Sequence, residues 1–256
     1  MLKKATLQSA FLEKTAALPG LLDDYARNRD PECLHQFRLH LKKIRALFDL
    51  LAPDARSWVQ LVAFPLLKKT YRQAGRIRAG ETHLALLKNI GQERPELSEQ
   101  LASLVQLEQK RFIRGIKNAK KLIRRFEKEV APLFDDLDND QIKALLKRRR
   151  KQLNRYFSRR PLAVEGLHEA RIRIKRLLYA KAIFPEKSAR KFLLQTDYLK
   201  TLEAAIGEWH DAAHTLEWLS GIGFAGTKQW RQIKDREQIL FDQIEALATD
   251  FRQKAW

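Results

Sequence analysis

The apolar residues Leu34, Phe37, Leu41, Ile44, Phe48 and Leu51 are separated by three and four residues in alternation. That spacing returns to one side of an α-helix at every turn, whereas a strand exposes alternate faces every second residue. A second stripe runs through Leu101, Val105, Phe112, Ile116, Ile123, Phe126 and Val130. No stretch alternates apolar and polar residues well enough to form a strand, so the expected fold class is all-α. Prolines and glycines divide the chain into helices. Asp30-Pro31 reads as an N-cap followed by proline in the first turn, and Pro53 ends that helix. The next helix is expected from about Asp54 to Gly75, with Pro65 as a kink or break, and Pro95 and Pro132 bound a long one. Later helices are expected over residues 140–157, 165–184, 187–206, 208–220 and 228–255.

Two halves of the chain resemble each other. Leu34-His35-Gln36-Phe37-Arg38-Leu39-His40-Leu41-Lys42-Lys43-Ile44 aligns with Leu167-His168-Glu169-Ala170-Arg171-Ile172-Arg173-Ile174-Lys175-Arg176-Leu177, with four of eleven positions identical. The offset is 133 residues, and Gly75 and Gly207, read as the ends of comparable helices, repeat at 132. Two landmarks at nearly one offset predict two pseudo-symmetric four-helix bundles from an internal duplication. The expected boundaries are 1–134 for the first bundle, 135–140 for an acidic linker and 141–256 for the second bundle.

Charge narrows the function. Fifty Lys and Arg against 31 Asp and Glu leave a formal net charge of +19, which favours a polyanionic partner. No run of 18 apolar residues occurs, so no membrane insertion is expected, and Glu13 and Lys14 interrupt any signal-peptide core after Lys3 and Lys4. One cysteine, Cys33, cannot form an internal disulfide, which suits a reducing cytoplasm.

The cations fall into rows. His35, Arg38, Lys42 and Arg45 share one helix face, with Lys43 beside them, and His168, Arg171 and Lys175 repeat the pattern with Arg176. Lys69, Arg72 and Arg76 follow the same spacing in the next helix, and Arg78 lies beyond the glycine. The long helix carries Arg111, Arg114, Lys117, Lys121, Arg124 and Lys128, a row about 26 Å long at about 1.5 Å per residue. Lys147-Arg148-Arg149-Arg150-Lys151 adds an unbroken basic run. Solvated faces usually interleave acids with bases, and few interleave here. Arginine grips phosphate oxygens with a planar fork, lysine supplies a mobile point charge, and protonated histidine donates from both ring nitrogens.

These motifs resemble the CHAD domain, the conserved histidine α-helical domain. His35, Arg38, Lys42, Lys43 and Arg45 match its first H-x-x-R-x-x-x-[KR]-[KR] copy, and His168, Arg171, Lys175, Arg176 and Tyr179 its second. Gly207-Glu208-Trp209-His210-Asp211 matches the glycine-x-x-x-aspartate element that follows. The resemblance covers roughly residues 5–250. It implies a stand-alone member in which basic helices of two bundles line a central cavity or groove and bind inorganic polyphosphate without catalysis or cofactor. Granule association in the cytoplasm would follow. The basic rows and the resemblance together give the expected binding set His35, Arg38, Lys42, Lys43, Arg45, Lys69, Arg72, Arg76, Arg114, Lys117, Lys121, His168, Arg171, Lys175, Arg176 and His210. Leu178 stands where the second copy often has arginine, and Arg78-Ala79 where the first half usually reads arginine-aspartate. The first half is therefore expected to carry more of the binding strength.

Three other readings compete. Asp136, Asp138 and Asp140 mimic calcium-loop spacing, but Gln141 replaces the turn glycine and Lys147 the bidentate glutamate, so no metal is expected there. His210, Asp211 and His214 share the i, i+4 spacing a metal-dependent phosphohydrolase would use, yet no carboxylate cluster completes the set. Nucleic acid is the serious alternative, as a weaker polyanion. Single-strand binders, however, stack bases on exposed aromatics, and Phe37, Phe48, Phe112 and Phe126 fall on apolar stripes.

Overall fold

A computed structural model describes residues 4–51, 53–90, 95–135, 139–183 and 194–256. The described residues contain helices and no strand. The chain divides into two compact units, Met1–Ile142 and Lys143–Trp256.

The first unit is a ring of four long helices. These are α1 (Lys4–Asn28), α2 (Pro31–Phe48), α4 (Pro65–Ile90) and α5 (Pro95–Val130), with a short α3 (Pro53–Trp58) before α4. Helix α1 packs on α2 and α5, and α4 packs on α5 and α2. The α2–α4 and α1–α5 seams therefore lie on opposite sides of this bundle. Asp30 caps α2 by accepting a hydrogen bond from the Glu32 backbone N–H (2.9 Å), and Pro31 occupies the first turn, where a missing N–H costs nothing. The core is aromatic. Phe11 packs against Phe48, Phe126 and Phe134, with ring centroids 5.2–6.4 Å apart. Phe37, Phe48, Phe112 and Phe126 are all buried, as their place on the apolar stripes implies.

The expected break at Pro65 takes the form of a π-helical turn, Val59–Ala63, closed by a hydrogen bond from the Phe64 N–H to the Val59 carbonyl (2.7 Å). Gly75 does not end a helix: α4 continues through it, and through Gly80, to Ile90. The expected helices start only at Pro31, yet α1 spans 25 residues and buries Leu7, Phe11, Leu18, Leu22 and Tyr25.

The second unit contains α6 (Asn139–Phe157, which begins at the end of the first unit), α7 (Val164–Ile183), α8 (Thr196–Gly221), α9 (Lys228–Ala248) and a short α10 (Phe251–Ala255). Helix α8 packs on α7 and α9. Phe157 stacks on Phe251 with centroids 4.4 Å apart, joining the end of α6 to α10. Helix α8 runs unbroken through Gly207, so the expected separate helices over 187–206 and 208–220 are one from Thr196 onward. The expected helix over 228–255 breaks at residues 249–250, where Asp250 adopts φ 57°, a conformation that cannot continue a right-handed helix. Residues 136–138 of the acidic linker, with two of the calcium-loop aspartates, and residues 187–193 of the expected helix lie outside the described residues.

Candidate functional site

In the first unit the basic face of α2 meets α4 at Arg38. Its half-buried guanidinium lies over the backbone of Gly75 and 4.2 Å above the Tyr71 ring, and Nη1 donates to the Tyr71 carbonyl (2.7 Å). A methyl group at position 75 would sit 3.0 Å from Arg38 Cζ and closer still to Nη1. The glycine is thus a notch in the middle of a helix, and its cost in helix propensity, about 1 kcal/mol, is offset by a charged hydrogen bond and a cation–π contact. That is why Gly75 reads as a helix stop in sequence and behaves otherwise in the fold.

Around Arg38, the side chains of His35, Lys42 and Arg45 on α2 and Lys69 and Arg72 on α4 are exposed. Arg45 lies over the Phe64 ring at 5.6 Å. Among the described residues neither Lys69 nor Arg72 makes an ion pair. Arg76 differs: its Nε and Nη2 both donate to Glu108 on α5 (3.1 and 2.9 Å), and Arg111 reaches the same carboxylate at 3.3 Å. Those arginines hold the Glu108 carboxyl below its ordinary range. Arg78, lacking an aspartate neighbour, donates to the Pro31 carbonyl (3.3 Å) and so ties α4 to the first turn of α2.

Two groups from the expected binding set lie apart from this face. Lys43 is five residues from Arg38, about 140° around the helix, and Arg176 stands in the same relation to Arg171. Arg114, Lys117 and Lys121 line a groove of about 810 Å³ on the opposite side of the first unit, against Asp23 and Ala26 of α1. Lys120 pairs with Asp23 there (2.6 Å).

The second unit repeats the arginine–glycine arrangement with a different partner. The Arg171 guanidinium lies over Gly207, where a methyl group would again be 3.0 Å from Cζ. Its Nε donates to Glu203 (2.7 Å), and Lys175 Nζ lies 3.1 Å from the same oxygen. Glu203 stands four residues before its glycine, as Tyr71 does in the first unit. Two cations of the second row thus share one half-buried carboxylate that lies outside the expected binding set. The signal was present, since Glu203 and Gly207 share a helix face at i, i+4.

His168 meets His210 edge-on at 4.8 Å between ring centroids, and His210 lies 4.3 Å from His214. Burial, followed by the two neighbouring imidazoles and Arg171, lowers the His210 pKa to about 4, against a smaller opposing effect of Asp211. His210 is therefore neutral at neutral pH and has one ring N–H to donate. His214 Nδ1 faces Glu217 at 3.5 Å. Among the described residues no group of three or more His, Cys, Asp or Glu is arranged to hold a metal, so the His210, Asp211 and His214 triplet lacks the donor set of a metal centre.

No curated protein matches the chain. Solved structures share its fold, two of them over nearly the whole chain. The crystal structure of the CHAD domain from the plant Ricinus communis is 15% identical, with a TM-score of 0.69 over 97% of this chain and 92% of that one. PptA from Streptomyces chartreusis is 14% identical, with a TM-score of 0.58 over 99% of each chain. The CHAD domain family itself matches residues 8–220. Most of the chain lies within that match, and the protein belongs to the CHAD domain family.

Proposed function

We propose that this protein binds inorganic polyphosphate on its basic helix faces and does not catalyse its turnover. The observation that carries the reading is the α2–α4 seam: Arg38 is held in place by Tyr71 and Gly75, beside Lys69 and Arg72, which no carboxylate neutralises among the described residues. A fixed guanidinium flanked by the exposed cations of Lys69 and Arg72 suits a flexible chain with charge on every unit. The seam supplies cations, and the core aromatics are buried, which favours a polyanion without bases. Glu203 weakens the corresponding face of the second unit, in keeping with a stronger first half. A reducing cytoplasm, with recruitment to polyphosphate granules, is the proposed setting.

Nucleic acid remains a second reading because of one feature. Lys110, Arg114, Lys117, Lys121, Arg124 and Lys128 form an exposed stripe on α5, and among the described residues none of the six makes an ion pair. A phosphate backbone of any kind would release counterions from such a row. The test is a titration with long-chain polyphosphate at several salt concentrations, with single- and double-stranded nucleic acid as competitors. Polyphosphate should bind about tenfold more tightly than either near physiological salt, a difference of about 1.4 kcal/mol. Equal or better competition by nucleic acid refutes the polyphosphate reading.

A further inference from the structure

The second unit holds a concavity of about 570 Å³ built from three segments: the last turns of α6, the residues just after it, and the turn between α9 and α10. Among the described residues, four cationic side chains line it, Lys151, Arg155, Arg160 and Arg252, against a single carboxylate, Asp250. Among the described residues none of the four makes an ion pair, with Asp250 or with any other acid. None of the lining residues lies on α7 or α8, which carry Arg171, Lys175 and the histidines. Thr249, Asp250, Phe251 and Arg252 also lie beyond residue 220, where the family match ends.

A ring contact and a hydrogen bond tie the walls together. The stacked rings of Phe157 and Phe251 (4.4 Å) join α6 to α10 and form an apolar floor. Trp256 Nε1 donates to Asn154 Oδ1 (2.6 Å), which settles the orientation of that amide and turns its NH2 group away from the indole. Asn154 itself lines the concavity. An apolar floor, an oriented amide donor and four cations that make no ion pair among the described residues form a site for an anion, and the volume lies within the range of small-molecule sites.

We propose that this concavity binds a pyrophosphate group, carried by a small molecule or standing at the end of a longer phosphate chain. Three arginines suit it, because planar forks can share the several oxygens of adjacent phosphates in a way that one lysine row cannot. The assignment does not depend on what the α2–α4 seam binds.

Isothermal titration near physiological salt, with inorganic pyrophosphate as the probe, tests it. The double variant Arg155→Glu/Arg252→Glu changes two exposed side chains, so circular dichroism should report an intact fold. It should bind pyrophosphate at least about tenfold more weakly than the wild type. The variant Lys228→Glu/Arg231→Glu, at two exposed cations of α9 that do not line the concavity, should stay within about twofold of wild type. Three results overturn the proposal: no pyrophosphate binding by the wild type, equal binding by the Arg155/Arg252 variant, or equal weakening by both variants. The milder Arg160→Gln variant gives an independent reading, and an unchanged affinity there together with an unfolded double variant also overturns it. The source is read in parallel. ADP binding that falls with pyrophosphate binding identifies a small molecule, whereas loss of long-chain polyphosphate affinity without ADP binding identifies a chain end.

Discussion

Replacing Gly75 with alanine separates the two roles assigned to that position. In a helix interior the change ordinarily stabilises by about 1 kcal/mol, because glycine pays more backbone entropy. At Gly75 the new methyl would occupy the space of the Arg38 guanidinium, 3.0 Å from Cζ, so the arginine must swing out. It then loses the 2.7 Å hydrogen bond to the Tyr71 carbonyl and the stacking over the Tyr71 ring at 4.2 Å. A hydrogen bond to a charged group contributes about 1.5–3 kcal/mol and a partly exposed cation–π contact about 0.5–1 kcal/mol. Arg38 is only half-buried and regains hydration when released, so the lower ends apply. Set against the propensity gain, the net loss is about 1 kcal/mol, a fall in Tm of about 2–4 °C for a chain of this size.

Gly115, also inside a helix, is the matched control, since a methyl there meets nothing within 4 Å. Gly115→Ala should raise Tm by a similar amount. Thermal melts followed by circular dichroism, with polyphosphate titrations on the same samples, give both readouts. Gly75→Ala should lower Tm and weaken binding severalfold, and Gly115→Ala should raise Tm and leave binding unchanged. If Gly75→Ala stabilises as much as Gly115→Ala and binds as tightly as wild type, the notch does not hold Arg38 and the reasoning fails.

Three further outcomes follow from the same geometry. Glu203→Gln should tighten polyphosphate binding severalfold and steepen its salt dependence, because it releases Arg171 and Lys175 from a shared carboxylate; an unchanged salt slope counts against that account. Lys69→Glu/Arg72→Glu should weaken polyphosphate binding at least about tenfold with helicity preserved, and retained affinity would remove the α2–α4 seam from the binding face. The His210 pKa of about 4 lies below the ordinary 6.5, so the unfolded chain takes up this proton at higher pH than the folded one. Stability contributed by neutral His210 is therefore complete above about pH 6.5 and declines as pH falls towards about 4, and His210→Gln should flatten that part of a Tm-versus-pH curve. If the two curves run parallel, the depressed pKa is wrong.

Local periodicity determined a good deal of this protein. The three-and-four spacing of Leu34 to Phe48 and the stripe from Val105 to Val130 marked the buried sides of α2 and α5, because helical geometry depends only on neighbours along the chain. Asp30 and Pro31 likewise marked the start of α2 by local hydrogen bonding. The placing of His35, Arg38, Lys42 and Arg45 on one face followed from the same geometry, and the repeated motif pointed to the CHAD family that the chain matches. What only the tertiary structure decided involves partners distant in sequence. Gly75 and Gly207 looked like helix ends because glycine is the common C-terminal signal; an arginine on the preceding long helix, 37 residues away for Gly75 and 36 for Gly207, makes them mid-helix notches. Glu108 and Glu203 neutralise cations across helix seams, and the order of packing around the first bundle sends Arg114, Lys117 and Lys121 to the side opposite Arg38. Whether two charges meet depends on which helices share a seam, and that is settled by the burial of apolar faces rather than by the charges themselves.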